Sequence, residues 1–170
     1  PKIVGKEEYL VGANFTFKKD LTRIIGRFDP RIGQRGRNFQ GNDEVIFLEQ
    51  ARKIDSRGIL YYPGMLVLHN IPPLRTTIDY VERRFYGQGI SDVVKEKILG
   101  ADLSPLNLLN FLEAQLYEAS WNLDFLKETE KKLPKETLLI YKGNFIRARL
   151  AYLNGVRDAI FGGGENENMF

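Results

Sequence analysis

"LSPLNLLNFLEAQLYEASWNLDFLKETEKKL", residues 103–133, decides the fold class. Ser104 is placed to cap a helix and Pro105 suits its first turn. Leu109, Leu112, Leu116, Ala119, Leu123 and Leu126 then recur at alternating spacings of three and four, the seam of a core-facing helix. Lys131 and Lys132 sit in the last turn, where cations suit the helix dipole. After Pro134 a second long helix is expected, with Leu138, Tyr141, Phe145, Ala148 and Tyr152 in the same rhythm. Ile146, Leu153, Val156 and Ile160 widen that stripe.

Working back towards the N-terminus, Pro73 at a first helical position starts a helix expected to reach Phe85. "GQG", Gly87 to Gly89, is read as its stop. Asp92 to Leu99 then forms a short helix that Gly100 ends. Asn42 is read as an N-cap, with Asp43 and Glu44 in the dipole-favoured first turn of a helix running to about Arg57, which Gly58 closes. Between them "ILYYPGMLVLHNI", Ile59 to Ile71, reads as a buried strand-like stretch or a distorted helix. It is too short to span a bilayer and is broken by Pro63 and Gly64.

These elements define an all-α fold, an antiparallel up-down four-helix bundle over residues 42–161, with an extended basic N-terminal arm over 1–41 and a flexible tail over 162–170. A short helix around Lys18 to Ile25 fits within the arm, because Phe17, Leu21, Ile24 and Ile25 share a face. The 170-residue length suits one domain with a real core, and the 43% hydrophobic content argues against wholesale disorder. The chain opens on Pro1, and removal of a targeting segment or trimming are the simplest accounts.

The chain has no cysteine, which removes disulfides, thiolate nucleophiles and cysteine-ligated metal sites. His69 is the sole histidine and reads as a local hydrogen-bonding residue rather than a catalytic one. Ser56, Ser91, Ser104 and Ser120 fall in contexts of turn, cap or helix surface, not of a strained nucleophile elbow. A di-metal carboxylate site needs paired Glu-x-x-His motifs, and none is present. Glu113, Glu118, Asp124, Glu128 and Glu130 lie mainly off the helical seam as a solvated face. "GQRG" lacks the lysine and hydroxyl residue of a phosphate loop. Trp121 reads as a seam residue. No catalytic residue, metal or cofactor is expected.

Charge is placed unevenly. Residues 1–37 hold nine Lys/Arg against four acids, whereas the remainder is nearly balanced. Such asymmetry points to an acidic protein surface, nucleic acid or an anionic membrane. Arg23, Arg27, Arg31, Arg35, Arg37 and Phe39 are the candidate partner-binding residues: guanidinium groups for carboxylates or phosphates, and an aromatic anchor. From the residues alone, protein docking, nucleic-acid binding and an incidental solvated linker stay open.

A helix ending "ARKIDSRG", then "LHNIPPLRTTIDYV", then a C-terminal hairpin whose final helix starts near Tyr141 and carries "ARLAYL" (Ala148 to Leu153), together resemble the PsbQ-type extrinsic proteins of photosystem II over roughly residues 42–160. His69, Pro73, Leu74 and Arg75 match the start of that family's second helix. The resemblance implies a non-enzymatic subunit in the thylakoid lumen of a chloroplast or cyanobacterium, peripheral to the membrane. It would dock on the photosystem II core and other extrinsic subunits and stabilise the oxygen-evolving complex. A basic-armed nucleic-acid-binding helical protein, or a similar subunit of another thylakoid complex, is the alternative.

Overall fold

The computed structural model describes residues 1–5, 12–36, 38–55, 58–104, 107–108, 110–115 and 134–162. Most of them are helical. In chain order the elements are strand β1 (Lys2–Val4), a 3-10 turn (Gly12–Asn14), α1 (Leu21–Ile25), α2 (Asp43–Ile54), strand β2 (Ile59–Tyr61), a second 3-10 turn (Pro73–Thr76), α3 (Ile78–Leu99) and α4 (Lys135–Phe161). Residues 107–108 and 110–115 are also helical.

The helix that organises the molecule begins one turn later than Pro73 suggests. Pro73–Thr76 forms the 3-10 turn, and Thr77 then caps α3 by accepting the Tyr80 N–H at 3.3 Å. Gly87 and Gly89 do not stop α3: the helix runs through them for 22 residues and absorbs the separate Asp92–Leu99 helix expected from sequence. Gly100, in the left-handed region at φ 83°, ends it, its N–H bonding back to the carbonyls of Glu96 and Lys97.

Tertiary packing explains the continuation. A Cβ built on Gly89 would lie 2.2 Å from the Tyr152 carbonyl oxygen, and one on Gly155 would lie 2.0 Å from that of Tyr86. Only glycine lets α3 and α4 approach so closely, and the packing outweighs the roughly 1 kcal/mol that glycine costs inside a helix. The two helices run parallel: Glu82 meets Arg147, Tyr86 meets Asp158, and Lys97 meets the Ala159 carbonyl. Their core is Val93, Tyr152 and Val156, with Phe85, Leu103, Phe111, Leu112, Leu153 and Ile160 packed around it. Leu103, Phe111 and Leu112 thereby bring the chain after Gly100 back onto the C-terminal halves of both helices.

Along α4 the expected stripe is buried at one end only. Ala148, Tyr152 and Val156 are buried, while Tyr141 and Ile146 are exposed. Along 103–133 the seam positions Leu109, Leu116, Ala119, Leu123 and Leu126, and Trp121, lie outside the described residues, as does the 163–170 tail.

The first residues are not free-standing. β1 pairs antiparallel with β2, Ile3 opposite Leu60, so Ile59–Tyr61 is a strand. The chain from Tyr62 to Pro72 has neither helix nor strand, and it is exposed where the sequence suggested burial. Phe15, Phe17 and Phe28 gather on Phe47 of α2, with ring centroids 4.5–6.3 Å from it. Phe47 itself is 2% exposed, so this aromatic cluster holds α1 and its flanks against α2.

Candidate docking surface

The segment before α2 straps across α3. Arg84, Gly87, Gln88 and Ser91 stand at helical spacings of three, one and three, so they form one face of α3, and residues 39–42 lie along it. A Cβ on Gly87 would meet the Phe39 carbonyl at 2.6 Å, and Arg84 Nη1 donates to that carbonyl oxygen at 2.5 Å. Two residues on, Gly41 N–H donates to Ser91 Oγ at 3.0 Å, and the Ser91 hydroxyl donates to the Gly41 carbonyl at 2.5 Å. Ser91 is wholly buried, not the surface or turn residue its sequence context suggested. "GQG" therefore serves two packings at once: Gly87 admits the strap and Gly89 admits α4.

Between these two contacts lies a polar cluster. Asp92 Oδ1 accepts from Asn42 Nδ2 at 2.6 Å and Gln88 Nε2 at 2.9 Å, while Asp92 Oδ2 accepts from the Tyr152 hydroxyl at 2.8 Å. Tyr152 also lies 2.8 Å from the Gln115 side chain. The one hydroxyl proton of Tyr152 thus stands between two acceptors, Asp92 Oδ2 and Gln115 Oε1. Asn42 is consequently not a side-chain N-cap. It holds φ at 69° and turns its amide to Asp92 and Gln88 instead. Strap, α3, α4 and the start of the intervening segment thus meet in one hydrogen-bonded cluster.

The candidate arginines divide. Arg31 forms a two-point pair with Asp29, Nε to Oδ1 at 3.0 Å and Nη2 to Oδ2 at 2.7 Å. These hydrogen bonds hold the Asp29 carboxyl below its ordinary value, and the Arg31 charge adds to them. Arg23 pairs with Asp20 at 3.0 Å in full solvent. Arg27 and Arg35 are exposed and form no ion pair among the described residues. Arg27 borders a recess of about 320 Å³ floored by Phe28, Ile46 and Phe47. Phe39 is half-buried, edge-on to Tyr80 at 5.3 Å, so its ring is engaged within the chain. Arg37 lies outside the described residues.

Two carboxylates of α2 lie close against the arm. A Cβ on Gly12 would strike Glu44, and one on Gly33 would touch Asp43 at 3.0 Å. Burial raises the Glu44 carboxyl above its ordinary value and Asp43 adds to this, against backbone hydrogen bonds that lower it. On the far side of the molecule, Asp79, Glu82, Tyr86, Asn154, Arg157 and Asp158 line an open groove of about 450 Å³ between α3 and α4. There Glu82 holds Arg147 through both oxygens, at 2.7 and 2.8 Å. Burial would raise Asp158, but hydrogen bonds from Arg157 and Tyr86 prevail and hold its carboxyl below the ordinary value. Burial and the Asp158 bond push the Tyr86 phenol up.

His69 is exposed on the irregular Tyr62–Pro72 segment. Among the described residues no three acid, histidine or cysteine side chains gather to hold a metal ion, and no helix is long and apolar enough to cross a membrane. The chain matches no known family model, no curated protein and no solved structure.

Proposed function

We propose that the protein is a non-enzymatic extrinsic subunit that docks electrostatically on the lumenal face of photosystem II and stabilises the oxygen-evolving complex. The observation that carries the docking role is the state of the arm's cations. Arg27 and Arg35 are exposed and without ion-pair partners among the described residues, on a segment tied down by Phe28, Phe47 and Asp29. A fixed cation loses less entropy on binding a carboxylate than one on a free tail. The assignment to photosystem II rests on the resemblance of residues 42–160 to PsbQ-type proteins. The four-helix bundle expected from sequence belongs to this reading, although most of its third helix lies outside the described residues. The parallel course of α3 and α4 supports it, since alternate helices of an up-down bundle are parallel.

Changing Arg27, Arg31, Arg35 and Arg37 together to Gln tests the role. The variant should leave photosystem II membranes at moderate salt while the wild-type chain stays bound, because each lost pair weakens a screened attraction. Equal retention of the two proteins overturns docking through the arm. Binding to RNA or DNA at physiological salt with a steep salt dependence would replace this reading with the nucleic-acid one.

A further inference from the structure

From Gly58 to Leu74 the chain has no lysine, arginine or acid, and the nearest acids are Asp55 and Asp79. In a folded chain such a run is ordinarily buried. Here it points outward: Leu66 is 87% exposed and Leu68 102%, with Leu60, Val67 and Ile71 each more than half exposed. The β1–β2 pair extends the patch, since Ile3 stands opposite Leu60 and is as exposed. A contiguous apolar patch of this kind marks an interaction surface.

We propose that the Tyr62–Ile71 loop dips into the interface of an anionic lipid bilayer. Three observations favour lipid over a protein partner. Pro63, Gly64, Met65, Leu66, Val67 and Leu68 carry no hydrogen-bonding group other than backbone and the weakly accepting Met thioether, whereas a specific protein interface needs about one hydrogen bond per 100–200 Å². The loop is irregular, so its backbone must stay within reach of water, which a shallow interfacial position allows and the hydrocarbon core does not. Cations are close to it along the chain: Asn14 Nδ2 donates to the Met65 carbonyl at 2.8 Å, which ties the loop to the arm four residues before the exposed Lys18 and Lys19, and the exposed Arg75 follows Ile71 by four residues. Apolar side chains for the acyl boundary beside cations for the headgroups is the arrangement that anionic membrane surfaces select.

The test is co-sedimentation of the full chain with vesicles of phosphatidylcholine alone and of an equimolar mixture with phosphatidylglycerol. These vesicles contain no protein, so the result stands apart from the photosystem II reading. The wild-type chain should sediment with the mixed vesicles at low salt and more weakly with phosphatidylcholine alone. Leu66→Ser with Leu68→Ser should weaken binding about tenfold or more, with an unchanged unfolding temperature because neither side chain packs in the fold. Leu68→Trp should shift its emission to the blue on adding mixed vesicles, measured against the wild-type chain that holds Trp121. Absence of wild-type binding, undiminished binding by the double variant or an unshifted Leu68→Trp spectrum each overturns the proposal. A double variant that binds vesicles normally yet no longer binds detergent-solubilised photosystem II would assign the loop to protein.

Discussion

Two sets of apolar side chains meet opposite fates in this chain. Along α3 and α4, Val93, Tyr152 and Val156 are almost wholly removed from water, whereas Leu66, Val67, Leu68 and Ile71 stand open to it. Hydrophobicity does not separate them. What separates them is the company of small residues at helical spacing. Gly89 and Gly155 let two backbones approach until flanking side chains close over the seam. The Pro63–Gly64 turn and the Pro72–Pro73 pair deny the loop any regular face to offer a partner element. Burial inside the chain follows from a periodic face with a matching face, and the loop has neither.

The sharpest way to break this contrast is at Gly155. Glycine to alanine inside a helix ordinarily stabilises by about 0.5–1 kcal/mol. Here the new methyl would sit 2.0 Å from the Tyr86 carbonyl oxygen, backbone that cannot rotate aside. Gly155→Ala should therefore destabilise by about 3 kcal/mol, read from urea unfolding. A stabilised variant would mean that the helices do not cross at this point.

Ser91→Ala probes the other face of the same helix with a smaller effect. It removes both bonds to Gly41 and leaves a buried N–H and C=O without a partner. A loss of about 1–3 kcal/mol is expected, with faster hydrogen exchange at Gly41. A neutral result would mean that the strap is held by the aromatic cluster around Phe47 and not by α3.

How much of this was legible in the residues follows the same divide. The end of α3 at Gly100 and the start of α4 after Pro134 are readable because each depends on one residue's own backbone preference. The passage of α3 through Gly87 and Gly89 is not, because the local preference of glycine says stop and only the distant Phe39, Tyr152 and Gly155 overrule it. The β1–β2 pair is hidden for a similar reason: Lys2 and Tyr61 are far apart in sequence, and three-residue strands carry almost no alternation. Of the candidate site, the arginine cluster is visible as composition. That Arg31 is occupied by Asp29, that Phe39 packs on Tyr80, and that Ser91 brackets Gly41 all depend on chain folding back upon chain.

The smallest effect distinguishes the two regions by pH. The loop carries no carboxylate, so a loss of stability in the strongly acid range, where carboxylates take up protons, belongs to groups elsewhere in the chain. Asp158, 8% exposed, has its carboxyl held below the ordinary value of 3.8 by hydrogen bonds from Arg157 and Tyr86 that outweigh burial. A carboxyl lowered on folding binds fewer protons in the folded chain than in the unfolded one. Its contribution is therefore complete above the unfolded value and is lost as pH falls through the lower folded one. Arg157 is 61% exposed, so solvent screens the pair and the contribution is at most about 1 kcal/mol. Asp158→Asn keeps an oxygen to accept from Tyr86 but removes the charge. Denaturant unfolding should find it less stable than wild type at pH 7, with the gap closing in the strongly acid range. A gap independent of pH would mean that the Asp158 charge contributes nothing to stability, so that the loss in the variant comes from altered packing of the amide instead.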